Sequence, residues 1–205
     1  NDEMCCGETA RRLGNEYLAQ TMIQTNIELW NELGVKKIVT SCPHCYNTLK
    51  NEYHQFGGNY EVISHTELIK TLIGEGRIKP ELNMDHEGAV VYHDSCYLGR
   101  YNKIYDIPRE IACSVPGTKL VETERKKNTS FCCGAGGGRM WMEENIGSRI
   151  NSMRCDQLLE TDAKTFATAC PFCLIMLDDA IKEKNLEDEI KILDLAEMVD
   201  RSVKD

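Results

Sequence analysis

The 205-residue chain lacks the marks of several large protein classes. No apolar run approaches the ~20 residues that cross a bilayer as a helix, and no secretory leader is visible. Basic charge is in deficit. Lys and Arg number 24 against 33 Asp and Glu, and the formal net charge of −9 argues against nucleic acid as the main partner and fits a soluble protein. There is no long run of like charge and no low-complexity stretch. The glycine-rich segment GAGGGR, Gly134 to Arg139, fails the GxGxxG spacing and is followed by no Lys-Ser/Thr, so it is not a phosphate loop. An initiating Met is also missing, since the chain starts at Asn1. This reading therefore expects a mature or truncated piece of a longer polypeptide.

Cysteine is what the sequence has instead. There are eleven: Cys5, Cys6, Cys42, Cys45, Cys96, Cys113, Cys132, Cys133, Cys155, Cys170 and Cys173. An odd number cannot all pair within one chain, and the long helical patterns are unlike those of small disulfide scaffolds. The expectation is a reducing compartment, with thiolates kept for metal or redox work.

The chain also repeats itself. IVTSCPHCYNTL, from Ile38, returns 128 residues later as FATACPFCLIML, from Phe166. Around the second copy, AVVYHDSC, KLVET, KTFATAC and IKIL read as strands. They alternate with helical patterns in IYDIPREIAC, from Trp141 to Leu159, and from about Leu174 to Lys184. The first copy has a helix expected over Ala10 to Leu33, with Leu13, Tyr17, Ile23, Ile27 and Trp30 on its buried face, then the strand KKIVTSC. The alternation predicts an α/β fold of two pseudo-repeated modules, residues 1–85 and 86–205. Each would be a small parallel sheet with flanking helices and cysteines at the carboxyl ends of strands.

The second module spaces its cysteines as Cys96, 35 residues, Cys132-Cys133, 36 residues, Cys170-x-x-Cys173. The first has Cys5-Cys6, 35 residues, Cys42-x-x-Cys45, without an opening cysteine. That residue, with a strand and a helix, is expected in a preceding segment. Three chemistries use such thiols: a closed zinc site, a thioredoxin-type pair, and an iron–sulfur cluster. Zinc takes four ligands where the second module offers five, and adjacent cysteines are awkward on one small tetrahedral ion. A thioredoxin pair leaves Cys96 and the adjacent pairs unused. A cluster accommodates all five. Cys113 and Cys155 have no repeat partner and are expected as buried apolar thiols. The glycines of GAGGGR let the backbone approach a bulky group, with amides available to its sulfurs. The second site should accordingly be the more open. His93 and Asp94, beside Cys96, read either as a structural hydrogen bond or, for His93, as a proton donor. His44 is an apolar filler or a contact behind the ligands. Arg100, Tyr101, Lys103 and Arg139 balance an anionic cluster, grip an acidic substrate, or form ordinary surface salt bridges.

The pattern C-x35-CCG-x36-CxxC resembles the CCG cysteine-rich domain, found in tandem in the B and D components of heterodisulfide reductase and in the iron–sulfur subunits of several oxidoreductases. YHDSCYLGRYN, CCGAGGGRMW and ACPFC are similar to the heterodisulfide-reductase-D-like members, some of which connect electron-transferring flavoprotein to membrane quinone. The resemblance implies that Cys96, Cys132, Cys133, Cys170 and Cys173 hold a [4Fe-4S] cluster of the non-cubane kind. It implies that Cys5, Cys6, Cys42 and Cys45 supply four ligands of a second. It further implies an iron–sulfur oxidoreductase subunit at the cytoplasmic face of a membrane. Its donor would be a flavoprotein or ferredoxin-type centre and its neighbours other redox subunits. Its acceptor would be a quinone or a membrane subunit, or alternatively a disulfide cleaved at the cluster with His93 as the acid. A zinc-stabilised interaction module is the non-redox alternative.

Overall fold

A computed structural model describes residues 3–82 and 88–203. The first half contains α1 (Glu8–Arg12), α2 (Glu16–Glu32), β1 (Lys37–Thr40), α3 (Pro43–Asn51), β2 (Glu61–Ser64) and α4 (His65–Gly74). The second contains β3 (Gly88–Tyr92), α5 (Asp106–Ser114), β4 (Thr118–Val121), α6 (Ile150–Leu159), β5 (Thr165–Thr168), α7 (Pro171–Glu183), β6 (Lys191–Asp194) and α8 (Leu195–Asp200). Strands β1 and β2 pair in parallel, with Lys37 opposite Glu61. The other four form a parallel sheet in the order β4-β3-β5-β6. Parallel neighbours need a crossover between them, and the intervening helices supply it. The expected α/β fold of two small parallel sheets is what the chain adopts. The expected division after residue 85 lies outside the described residues.

Every residue of the inner strand β5 is buried, as both faces of a parallel sheet are covered. Val90, Tyr92 and Ala167 point to one face, against Ile111 and Ala112 of α5 and Leu195 and Met198 of α8. The alternate residues Val91 and Phe166 point to the other, against Leu158 of α6 and Leu177 and Ile181 of α7. The first half has its own core, in which Ile23, Ile27 and Trp30 of α2 meet Tyr46, Leu49 and Val62.

The repeat is structural. β1-α3-β2-α4 has the same plan as β5-α7-β6-α8. Even the final turn is duplicated: Ser64 with Glu67, and Asp194 with Glu197, form capping boxes at the starts of α4 and α8. Helix α4 packs on α8, its own counterpart, and on α5. Its Ile69 and Ile73 reach the core of the second half. His65 Nε2 lies 3.1 Å from Asp194 Oδ1, so the two capping turns are themselves joined. Equivalent elements thus touch one another where the halves meet.

Three sequence expectations need correction. The helix over Ala10 to Leu33 is broken, because Gly14 adopts a left-handed φ of 84° and Asn15 starts a new helix, its Oδ1 accepting from Leu18 N–H. Leu13 and Tyr17 are consequently exposed, while Ile23, Ile27 and Trp30 are buried. The helix ending at Leu159 starts only at Ile150, and Met142 and Ile146 lie exposed before it. Cys113 is not buried; it faces outward from α5, whereas Cys155 is enclosed as expected. Among the described residues no helix is long and apolar enough to cross a membrane.

Candidate metal centres

Each CPxC turn starts a helix at the end of a strand. Cys42 and Cys170 are extended N-cap residues, and Pro43 and Pro171 take the first helical position. There the missing N–H is no loss and the fixed φ suits the helix. Cys45 and Cys173 follow in the same first turn, so both thiols of each pair sit at the positive end of a helix dipole. The N–H of Cys45 reaches Cys42 Sγ, and that of Cys173 reaches Cys170 Sγ.

The adjacent cysteines are presented by a second duplicated device. Gly7 and Gly134, the glycines of the two CCG motifs, adopt left-handed φ of 82° and 92°, a conformation only glycine takes without strain. A Cβ on Gly7 would lie 3.0 Å from the Ala19 carbonyl, and one on Gly134 would lie 3.1 Å from Ile150 Cβ. The turn aims the Gly134 N–H at Cys132 Sγ, 3.3 Å away. The Gly7 N–H serves Cys5 in the same way.

The strand ends thus gather the thiols into two chains of interacting neighbours. In the second half the order is Cys96, Cys132, Cys133, Cys173, Cys170. In the first it is Cys5, Cys6, Cys45, Cys42. Among the described residues all eleven cysteines are free. Donation from Cys133 and Cys96 holds Cys132 down to about 2. Donation from Cys45 and Cys5 holds Cys6 at about 3. The same Cys45 thiol lowers Cys42 to about 6. Cys170 is also lowered: burial opposes its charge, but Cys173 and His44 outweigh burial. Cys5, Cys45, Cys96 and Cys133 are pushed up correspondingly, each chiefly by the lowered thiol beside it, and Cys173 is pushed up by Cys133 first and Cys170 next.

Buried polar groups surround the second set. His93, Cys133 and Cys173 bring donor atoms within 4.8 Å of one another. Arg154 Nε donates to His93 Nδ1 at 3.1 Å, so the neutral ring carries its proton on Nε2. That atom is buried without a partner. Burial, then the Arg154 charge, hold His93 down to about 3. Arg154 itself is fully buried and its guanidinium meets only neutral acceptors: His93, the Arg125 carbonyl, Gln157 and Thr123. A buried cation needs a nearby anion; Asp94 acts on Arg154 most, with the Cys173 and Cys133 sulfurs next. Asp94 takes the structural role: it accepts two 2.8 Å bonds from Arg109 and a third from Lys127 N–H.

Between the two sets stands His44. Its Nδ1 is 3.8 Å from Cys42 Sγ and 4.0 Å from Cys170 Sγ. Burial opposes its charge, but the Cys170 and Cys42 thiolates outweigh this and raise it to about 10. Of the basic residues near Cys96, Arg100 favours negative charge on that sulfur, and each has a further partner. Arg100 donates to the Ser130 carbonyl, Lys103 to the Arg100 carbonyl, and Arg139 pairs with Glu144. Tyr101 is exposed and stacks on Tyr97.

This donor set fits an iron–sulfur group. It is all thiol, it exceeds the four ligands of zinc in the second half, and backbone amides point at its sulfurs. The two thiol sets differ in enclosure among the described residues. Cys133, Cys170 and Cys173 are buried, and the 410 Å³ cavity nearby is lined by Arg139, Met140 and Met176 but by none of the cysteines. A 460 Å³ cleft instead reaches Cys5, Cys6 and Cys45 along the edge of β1 away from β2. On the corresponding edge of β5 lies β3. Sequence reasoning missed Arg154, because a lone Arg in a helical pattern reads as solvent-facing. The repeat offset of 128 aligns it with Asn26, which is also buried and holds the backbone of Met4 and Cys5. That alignment is the signal that could have found it.

Comparison with known proteins agrees with this geometry. The family described as CCG, cysteine-rich domain, matches residues 1–50 and 90–178. The EtfAB:quinone oxidoreductase of Syntrophomonas wolfei is 48% identical over 205 residues, covering 97% of this chain and 28% of that protein. The probable iron-sulfur-binding oxidoreductase FadF of Bacillus subtilis is 49% identical over 203 residues, covering 99% of this chain and 28% of that protein. The dihydromethanophenazine:CoB–CoM heterodisulfide reductase of Methanosarcina barkeri has a component that is 32% identical over 204 residues, covering 97% of this chain and 49% of that component. The chain thus spans less than half the length of each of these relatives.

Proposed function

Because the chain belongs to the family of CCG cysteine-rich domain proteins, we propose that it is the cluster-holding part of an iron–sulfur oxidoreductase. It would pass electrons from a flavoprotein or ferredoxin-type donor toward a quinone or similar acceptor, within a complex of redox subunits. The observation that carries this reading is the pair of thiol chains, built alike and meeting at His44. Names of relatives, an EtfAB:quinone oxidoreductase among them, support it. A membrane acceptor would put the protein at the cytoplasmic face of a membrane.

Cys96, Cys132, Cys133, Cys170 and Cys173 would hold one [4Fe-4S] cluster, in the non-cubane form, and Cys5, Cys6, Cys42 and Cys45 a second. Such clusters take up and release single electrons when bound. The amides of Gly134 and Cys173 stabilise the sulfurs of their ligands, and the walls of the second site exclude water. His93 holds a proton on Nε2 at the cysteines of that site. The alternative reading, in which a disulfide is reduced at the second site and His93 protonates a departing thiolate, needs the imidazolium, which burial and Arg154 disfavour. The burial of Cys133, Cys170 and Cys173 favours the relay.

Iron, zinc and acid-labile sulfide per chain, measured on protein purified without oxygen, test the proposal. Iron and sulfide near about four or about eight each support one or two clusters. Zinc without sulfide would replace the redox reading with a structural module. Reoxidation by a quinone supports the relay. A disulfide or thiol that perturbs the paramagnetic signal of the oxidised protein would favour the reductase.

A further inference from the structure

One side chain faces cysteines of both halves of the molecule. His44 belongs to the first CPxC turn, yet most of what surrounds it belongs to the second half. Its ring lies 4.3 Å from the ring of Tyr97, the neighbour of Cys96, and 4.7 Å from that of Phe172, inside the second CPxC turn. Its Nδ1 faces Cys42 Sγ of its own turn and Cys170 Sγ of the other. The ring is almost wholly buried, and its Nε2 has no partner. By the repeat, His44 and Phe172 are the same position. The two turns thus face each other at equivalent positions. At such a place one bridging side chain serves both sites, and the twin position is free to be apolar.

We infer that His44 is the bridge through which the two cysteine-held centres exchange electrons. The inference rests on the reading of both thiol sets as iron–sulfur sites. In the exchange, one electron leaves one centre and enters the other; the first is oxidised and the second reduced by one unit. No bond of His44 is made or broken, and its protons stay in place. His44 is thus a positioning residue: its N–H fixes the distance between Cys42 and Cys170 and stabilises negative charge on both sulfurs at once. Without it, the shortest contact between the halves at this point would be the ring of Phe172, which carries no donor.

His44→Phe repeats the residue already accommodated at the twin position, and His44→Asn returns an N–H near the place of Nδ1. Both are compared with wild type in the full-length protein, purified without oxygen. The readouts are iron and sulfide content, the midpoint potential of each centre, magnetic interaction between the two reduced centres, and the rate of internal electron exchange after photoreduction. With His44→Phe, iron and sulfide stay at wild-type values, both potentials fall, and exchange slows by about tenfold or more, as expected for losing a hydrogen bond to charge. His44→Asn recovers part of each change. A His44→Phe protein with wild-type potentials and exchange rate would overturn the inference and make His44 a packing residue. Wild-type protein without iron and sulfide would instead overturn the cluster reading itself.

Discussion

At the scale of single residues, the site depends on positions whose chemistry permits no substitute. Gly134→Ala puts a side chain on left-handed backbone and against Ile150, so it is expected to cost more than about 1 kcal/mol and to lower the iron content of the second site. Denaturant unfolding and metal analysis check this. Arg154→Met leaves the acceptors on His93, Arg125 and Thr123 without their donor and frees the His93 tautomer. The expected loss is about 2 to 3 kcal/mol, with an altered spectrum of the second centre alone. Alkylation at pH 8 separates the two cysteines outside the sites. Cys113 is exposed and should be modified, whereas burial raises Cys155 to about 11 and shields it. The nine thiols that the fold gathers were legible from spacing alone, because a turn that must repeat leaves its imprint on the sequence. The partner of His44 was not, because its second sulfur lies 126 residues away and across an interface.

At the scale of elements, short-range chemistry decides where helices start, and it overrides hydrophobic spacing. Gly14-Asn15 carries both a stop and a cap, which is why α1 and α2 are separate although the apolar spacing runs through them. The strands and the two CPxC helices were legible, since β-branched runs ending in Cys-Pro admit little else. The segment before α6 was not, since Met142 and Ile146 keep helical spacing and are exposed all the same. The two capping boxes make a graded test. Ser64→Ala removes a cap and should cost about 1 kcal/mol. Asp194→Ala removes the corresponding cap and also the contact with His65 between the halves, so it should cost more. Thermal or denaturant melts of the two variants, compared side by side, check the order.

At the scale of the whole molecule, the halves share their framework. Helix α4 of the first half contributes Ile69 and Ile73 to the core of the second, so neither half should unfold alone. Fluorescence of Trp30, which is buried in the first core, and far-UV circular dichroism should follow one transition. Two separated transitions would show independent modules. The duplication was visible in the sequence through matched phrases at a fixed offset, but the way the copies face each other was not, because no local signal encodes an interface. The copies have also drifted apart at matched positions: Arg154 against Asn26, Phe172 against His44, a run of glycines against Gly7 alone. Should both seats hold clusters, as proposed, sites built on one plan but unequally furnished would not hold an added electron equally well, and the broken symmetry would give what began as a doubling a forward and a reverse direction.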